Sequence, residues 1–265
     1  NAKVGFPFIT GPQDDERPVN HVLPAWDIAA AYLSATTILA AERHRRLTGK
    51  GQKIKLALAD VALAAAGHLG LVGEVHVNGE QRTRHGNYLY GAFGRDFVTH
   101  DGVRIMLIAI TPKQWRGLLE ATGLGDEIAV VERRCGLDFS REGDRFHARE
   151  EICGILEEWI QKKPFQDISD LFDRYGLCWE KYQSVADLAL RDPDCSEDNP
   201  MFSLVDQPDI GTYPVPGPPM NSSIIERTPA GPAPRLGQHT DEILSDLLKL
   251  NSFQIGSLYD RGIVA

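Results

Sequence analysis

The four cysteines, Cys135, Cys153, Cys178 and Cys195, include no CxxC pair. Neither a zinc knuckle nor a redox dithiol is indicated, and free thiols of a cytoplasmic protein are the expectation. Long apolar runs are missing too. No stretch of about 18 apolar residues occurs, so no membrane span is expected. No block of lysine or arginine offsets a formal net charge of −9, and without a basic footprint to displace counterions a nucleic-acid partner is not expected. There is no GxSxG elbow, HExxH, P-loop or GxGxxG. The eight histidines do not cluster at ligand spacing, so no metal site is expected and each reads as a surface or core residue.

What is present is an ordinary globular composition. With 42% apolar and 25% charged residues, the 265-residue chain is long enough for two compact domains or one large one. Residue 1 is Asn, and NAKVGFPFITGP shows neither a start Met nor a signal-peptide pattern. The chain is expected to begin inside a loop of a longer protein.

The stretch around which the rest is organised runs from Leu23 to Asp60. After a Pro-, Gly- and charge-rich approach, helical spacing starts at Asp27, with Ile28, Ala31, Tyr32, Ala35, Ile38 and Leu39 recurring at three- and four-residue steps. Its wealth of alanine lets neighbouring backbones approach, so the helix is expected to be mostly buried. Arg43, Arg45 and Arg46 suit the C-terminal end of the helix dipole, and Gly49 ends it. Lys53 to Leu58 alternates and is expected to be a strand. Asp60 is placed as the cap of one further helix, VALAAAGHLGLVG. Helix, turn, strand and helix in this order belong to a layered α/β domain.

Composition changes near Gly73. Residues 78–92 are polar and glycine-bearing, as befits a linker or an active-site loop. Phe93 to Ile110 is expected to be a β-hairpin turning at Asp101-Gly102, and Thr111-Pro112 opens a helix. Glu150 to Lys162 is amphipathic, Pro164 starts another short helix, and 177–183 forms a strand. Together, 93–190 read as a small α+β domain. Pro-rich extended segments follow, then two short helices with Thr240 or Asp241 as cap.

Three positions carry possible chemistry. Asp27 lies in the first turn of its helix, where unpaired N–H groups and the dipole favour the ionised carboxylate. With Leu23, Pro24, Ala25 and Trp26 as an apolar wall, it is either a plain helix cap or a nucleophile toward an acyl group. The TGKGQ turn after it is either a helix stop or a basic loop meeting a phosphate. The loop Gly86-Asn87-Tyr88-Leu89-Tyr90-Gly91-Ala92-Phe93-Gly94 is either a flap over a ligand or a connector packed at a domain junction.

An aspartate opening an Ala-rich helix, the run LAAERHRRLTGKGQKIKLALAD, the aromatic region leading into the DG hairpin (Tyr90 to Ile110) and LGQHTDEIL (Leu236 to Leu244) together resemble the class III CoA-transferases, the carnitine- and bile-acid-type group. The likeness runs over essentially the whole chain. It implies an α/β fold with a large Rossmann-like domain, partly absent from this chain and built from both chain ends, plus a small α+β domain. Residues 1–77 would be the later part of the first large-domain segment, 78–205 the linker and small domain, and 206–265 the return. An interlocked homodimer is implied. No cofactor is needed, since CoA is part of the acyl-CoA substrate.

The resemblance makes Asp27 the catalytic residue, attacking the thioester to give an anhydride and then an aspartyl-CoA thioester. Trp26, Gly86, Asn87, Tyr88, Tyr90 and Gly91 would contact substrate and CoA. Family racemases use a glutamate just before a proline after the hairpin. Thr111 stands there in this chain and is no general base near neutral pH. Within the family, the stretch from Trp26 and GNYLYGAFGRDF are most like members that move CoA between the C1 and C4 carboxyls of one mesaconyl-CoA molecule. Transfer to a separate free acid, or a non-catalytic fragment, are the alternatives.

Overall fold

The computed structural model describes residues 1–264. A 3-10 turn (Ala2–Val4) and the short α1 (Phe6–Ile9) lead into an irregular segment and then α2 (Ala25–Thr48). This helix starts two residues before the expected Asp27, with Pro24 at the N-cap position and Asp27 in the first turn. Its C-terminus is as expected. Gly49 takes φ +71°, which only glycine adopts freely, and its N–H donates to Arg45 O at 2.8 Å. The expected burial is not found. No residue of α2 is buried, and Tyr32 and Leu39 are 68% and 69% exposed. α2 packs along α3 (Leu58–His68), which leaves most of its apolar positions uncovered among the described residues.

The strand expected at Lys53 to Leu58 is also corrected. Residues 50–57 carry no strand, and Leu58 already belongs to α3. Ala57 is extended (φ −95°, ψ 134°), but a strand exists only through a ladder, and among the described residues no neighbour pairs with this stretch. Asp60 is not the cap of α3. Ala57 holds that position, and Asp60 sits in the first turn, where its charge still suits the dipole. The single helix expected next is two. Gly70 (φ +79°) breaks the chain, and α4 (Leu71–Asn78) leaves at 54° to α3.

The hairpin forms as expected. β1 (Phe93–Val98) pairs antiparallel with β2 (Arg104–Ala109) in the register Phe93↔Ala109 to Val98↔Arg104. Its turn has Gly102 at φ +81°. The Asp101 carboxylate accepts from the Thr99 hydroxyl at 2.6 Å and from Phe165 N–H at 2.9 Å. Thr111 then caps α5 (Pro112–Thr122) in a reciprocal box with Gln114. α6 (Gly125–Cys135), α7 (Glu142–His147), α8 (Arg149–Ile160) and α9 (Phe165–Arg174) follow, and β3 (Cys178–Lys181) completes a three-stranded sheet, β1-β2-β3.

The core lies between this sheet and these helices. Phe93, Ile105 and Leu107 meet Ile152, Ile168 and Phe172, all of them without solvent exposure. A charge is buried beside the same core. Arg145 is 0% exposed, and its guanidinium donates to the Phe139 and Ile110 carbonyls and lies 5.3 Å from the Trp115 ring centroid. Burial pushes its pKa down from the usual arginine value, with Glu142 opposing.

From Gln183 onward the chain forms a second compact unit. It contains α10 (Val185–Arg191), β4 (Phe202–Gln207) paired antiparallel with β5 (Gly211–Pro216), α11 (Thr240–Asp246) and α12 (Ser252–Asp260). Part of the Pro-rich stretch expected to be merely extended is therefore a strand. Pro214 and Pro216 are tolerated because in a two-stranded sheet every strand is an edge. The expected Thr240 or Asp241 cap is likewise not found. His239 occupies the N-cap position, with no side-chain cap bond. No single described helix is long and apolar enough to cross a membrane.

Two measurements check this packing. Arg145→Leu removes the donors held by the buried Phe139 carbonyl and the part-buried Ile110 carbonyl, and urea unfolding should show a loss of roughly 2–4 kcal/mol. Cys153 is 0% exposed and burial raises its thiol to about 12, so iodoacetamide should alkylate the exposed Cys135 and Cys178 while leaving Cys153 unmodified until the protein unfolds.

Candidate active site

Asp27 stands at the N-terminus of α2 with an exposed side chain. Among the described residues no hydrogen bond or ion pair ties up its carboxylate. Trp26 beside it is half-buried and turned to the start of the chain. Its indole N–H donates to Asn1 Oδ1 at 2.7 Å, and its ring lies 5.3 Å from Phe6.

The segment that begins there is held by a residue that sequence reasoning passed over. Arg84 is 8% exposed, with the Asp15 carboxylate close enough to feel its charge, and its hydrogen bonds run to main-chain carbonyls. Its Nε donates to Phe8 O at 3.0 Å, its Nη2 to Pro7 O at 3.3 Å and Arg17 O at 2.6 Å, and its Nη1 to Asp15 O. The loop so gathered presents Gly11 O to Gly86 N–H at 3.2 Å. The available signal was the basic run Arg82-Thr83-Arg84-His85 directly before the flap, which composition reads as polar linker.

Within the flap, Gly86 (φ +58°) and Gly91 (φ +78°) make the turns, and Leu89 N–H donates to Gly94 O at 2.8 Å. A Cβ on Gly94 would lie 2.9 Å from that of Leu89, so the loop closes on its own base only with glycine there. Tyr88 N–H donates to His85 O, and Tyr88 OH accepts from Arg95 Nη1 at 3.4 Å, which leaves the hydroxyl proton for another acceptor. Arg95 is fixed in turn by Glu157 at 3.1 Å and by the Asp96 carbonyl. Tyr90 lies against Arg82, His85 and Phe146.

Gly86, Asn87 and Tyr88 line a cleft of about 700 Å³ together with Thr10, Asp14 and Arg104. Tyr90 and Gly91 are not part of its wall. Asp27 and Trp26 are joined to the flap through residues 1–17 rather than by a direct hydrogen bond. Burial holds the His85 imidazole below its ordinary pKa, and Arg149 and Arg82 add to the effect. Removing the Arg84 charge while keeping its bulk, as Arg84→Met, takes the side-chain donor from the Phe8, Asp15 and Arg17 carbonyls and leaves Pro7 O with the Val19 N–H alone. Limited proteolysis should then cut within residues 5–20 at least about tenfold faster.

The model of CoA-transferase family III matches residues 1–240. Over its whole length the chain is 51% identical to the 2-methylfumaryl-CoA isomerase of Chloroflexus aurantiacus, of which it spans 65%. It is 26% identical to the human succinyl-CoA:glutarate CoA-transferase and covers 58% of that protein. A crystal structure of a CAIB/BAIF family protein from Brucella suis superposes with a TM-score of 0.65 at 21% identity, covering 93% of this chain and 61% of the other. That likeness is one of fold: an α/β arrangement of mixed helices and small sheets. With a family model covering most of its residues and a close relative aligned along all of them, the chain belongs to CoA-transferase family III.

Proposed function

We propose that this protein moves CoA between the C1 and C4 carboxyls of 2-methylfumaryl-CoA (mesaconyl-CoA), with Asp27 as the covalent acceptor. The observation that carries this reading is the 51% identity to 2-methylfumaryl-CoA isomerase along the whole chain. The chain spans 65% of that relative, so the reading concerns the complete protein.

Asp27 suits the role. It lies in the first turn of α2, beside N–H groups the helix leaves unpaired, and its oxygens are open to a substrate. In the first step a carboxylate oxygen attacks the thioester carbonyl, the C–S bond breaks, and a mixed anhydride and CoA thiolate form. The thiolate then attacks the Asp27 carbonyl, the anhydride C–O bond breaks, and an aspartyl-CoA thioester remains beside the freed dicarboxylate. The second carboxyl repeats the sequence in reverse. It attacks the aspartyl thioester, and the released thiolate attacks the new acyl carbon and regenerates the Asp27 carboxylate. No proton, oxidant or metal enters the balance. Tyr88, with its hydroxyl proton unspent at the cleft wall, and backbone N–H groups of Gly86–Gly91 are candidates to stabilise the developing oxyanions. Trp26, Asn87 and Tyr90 complete the surroundings in this reading.

Thr111 supports acyl transfer over α-proton abstraction. Its hydroxyl is engaged with Gln114 at the start of α5, accepting from the backbone N–H at 3.2 Å. The reading also assigns residues 1–77 and 206–265 to a large Rossmann-like domain, residues 78–205 to a linker and small domain, and two subunits to an interlocked homodimer. The exposed apolar positions of α2 are consistent with such an assembly.

Two experiments test the reading. Asp27→Asn in the complete protein should lower transfer at least about a thousandfold while the far-UV CD spectrum stays unchanged, because the amide matches the carboxylate in shape and not in nucleophilicity. Hydroxylamine should trap an acyl group at Asp27 in the wild type, and full activity in the variant would refute the mechanism. Incubation with mesaconyl-C1-CoA alone should yield the C4 ester. A requirement for added free acid would instead favour intermolecular transfer.

A further inference from the structure

The flap does not hold itself in place. The guanidinium of Arg82 lies 3.4 Å from the Tyr90 ring centroid, and Arg82 is gripped by Glu74 of α4 at 2.7 Å. Both side chains of that ion pair are only 21% exposed, so water competes weakly for them. His85 stacks on Tyr90 at 5.5 Å and 27°, and Phe146 of α7 meets the same ring edge-on at 5.3 Å. One tyrosine therefore joins α4, the flap and α7. The second flap tyrosine is tied to the same group, since Arg149 lies 4.4 Å from the Phe146 centroid and 5.4 Å from that of Tyr88. Tyr90 is 46% exposed, so this is not ordinary core packing. It is a latch of cations and rings at the edge of a loop.

We infer that Arg82, held by Glu74, is a positioning residue that keeps the flap closed and so determines which carboxylate takes CoA from Asp27. The inference rests on the reading above. Once the aspartyl-CoA thioester has formed, any carboxylate that reaches its carbonyl carbon completes the same step. A C–O bond forms, the C–S bond breaks, and the thiolate leaves. With the flap latched, the carboxylate within reach belongs to the acid already bound. With the latch loosened, the bound dicarboxylate escapes and an external carboxylic acid takes its place with identical bond changes. Arg82 never touches the reacting atoms. The planar, weakly hydrated guanidinium can lie flat on a tyrosine while binding a carboxylate at its edge, which an ammonium does poorly.

The experiment supplies the complete protein with unlabelled mesaconyl-C1-CoA and ¹³C-labelled free mesaconate, and mass spectrometry reads the label in the CoA ester. The wild type should form the C4 ester without label. Arg82→Ala should still form it, within about fivefold of the wild-type rate, while label incorporation rises about five- to tenfold above background. Arg82→Lys should bring the label partway back. Hydrogen exchange in residues 86–92 should quicken in Arg82→Ala and stay unchanged in 152–172. An Arg82→Ala protein that isomerises without added label, or with unchanged exchange at 86–92, overturns the inference. If Arg82→Ala does not fold, Glu74→Gln keeps the stack but frees the guanidinium, and absence of added label there overturns it equally. Labelling in the wild type itself at the rate of C4-ester formation, or no C4 ester at all, refutes the underlying reading instead.

Discussion

The placement of the candidate site depends on one buried cation. Arg84 sends its N–H groups to carbonyls of residues 7, 8, 15 and 17, partners between 67 and 77 positions away in the chain. A carboxylate partner would neutralise the charge but fix a single point. Four carbonyls fix the course of a whole segment, because each is part of the backbone and cannot swing away. That segment carries Asn1 and Phe6 against Trp26 at one end and Gly11 against Gly86 at the other. The mouth of α2 and the base of the flap are thus set relative to each other by a residue that reaches neither Asp27 nor the flap tip.

Most of what was legible in the sequence is local. Gly49 ending α2, the Asp101-Gly102 turn and Thr111-Pro112 opening α5 each follow from a few neighbouring residues and appear where expected. The misreadings share a cause, which is that the missing information is non-local. Lys53 to Leu58 has a strand's alternation, but alternation does not create a neighbour. The alanines of α2 permit close packing without saying what packs. Prolines in 208–223 argue against an interior strand and are silent on an edge.

The candidate site divides in the same way. Asp27 and the Gly86–Gly94 loop stand out because charge at a helix start and glycine among aromatics are visible patterns. The order of several motifs, more than Asp27 alone, is what lifts its reading above that of a helix cap. The role of Arg84 was not legible, although the basic run around it was, because its partners are main-chain oxygens, which every residue possesses. Arg145 escaped for the same reason, since the Phe139 and Ile110 carbonyls that hold it leave no mark in composition or spacing.

The hairpin turn carries one more consequence, in proton linkage. Asp101 is held below the usual carboxylate range chiefly by the Thr99 hydroxyl, against a desolvation that opposes it, with the Phe165 N–H adding to the effect. A carboxylate whose folded value is depressed stabilises the fold above its unfolded pKa and loses that contribution as pH falls through the folded one. The Phe165 bond ties the tip of the hairpin to the start of α9, residues 64 positions apart. Acid therefore releases this seam only as pH falls below the ordinary carboxylate range, while the side chains of Ile105, Ile152 and Phe172 beneath it carry no charge to lose.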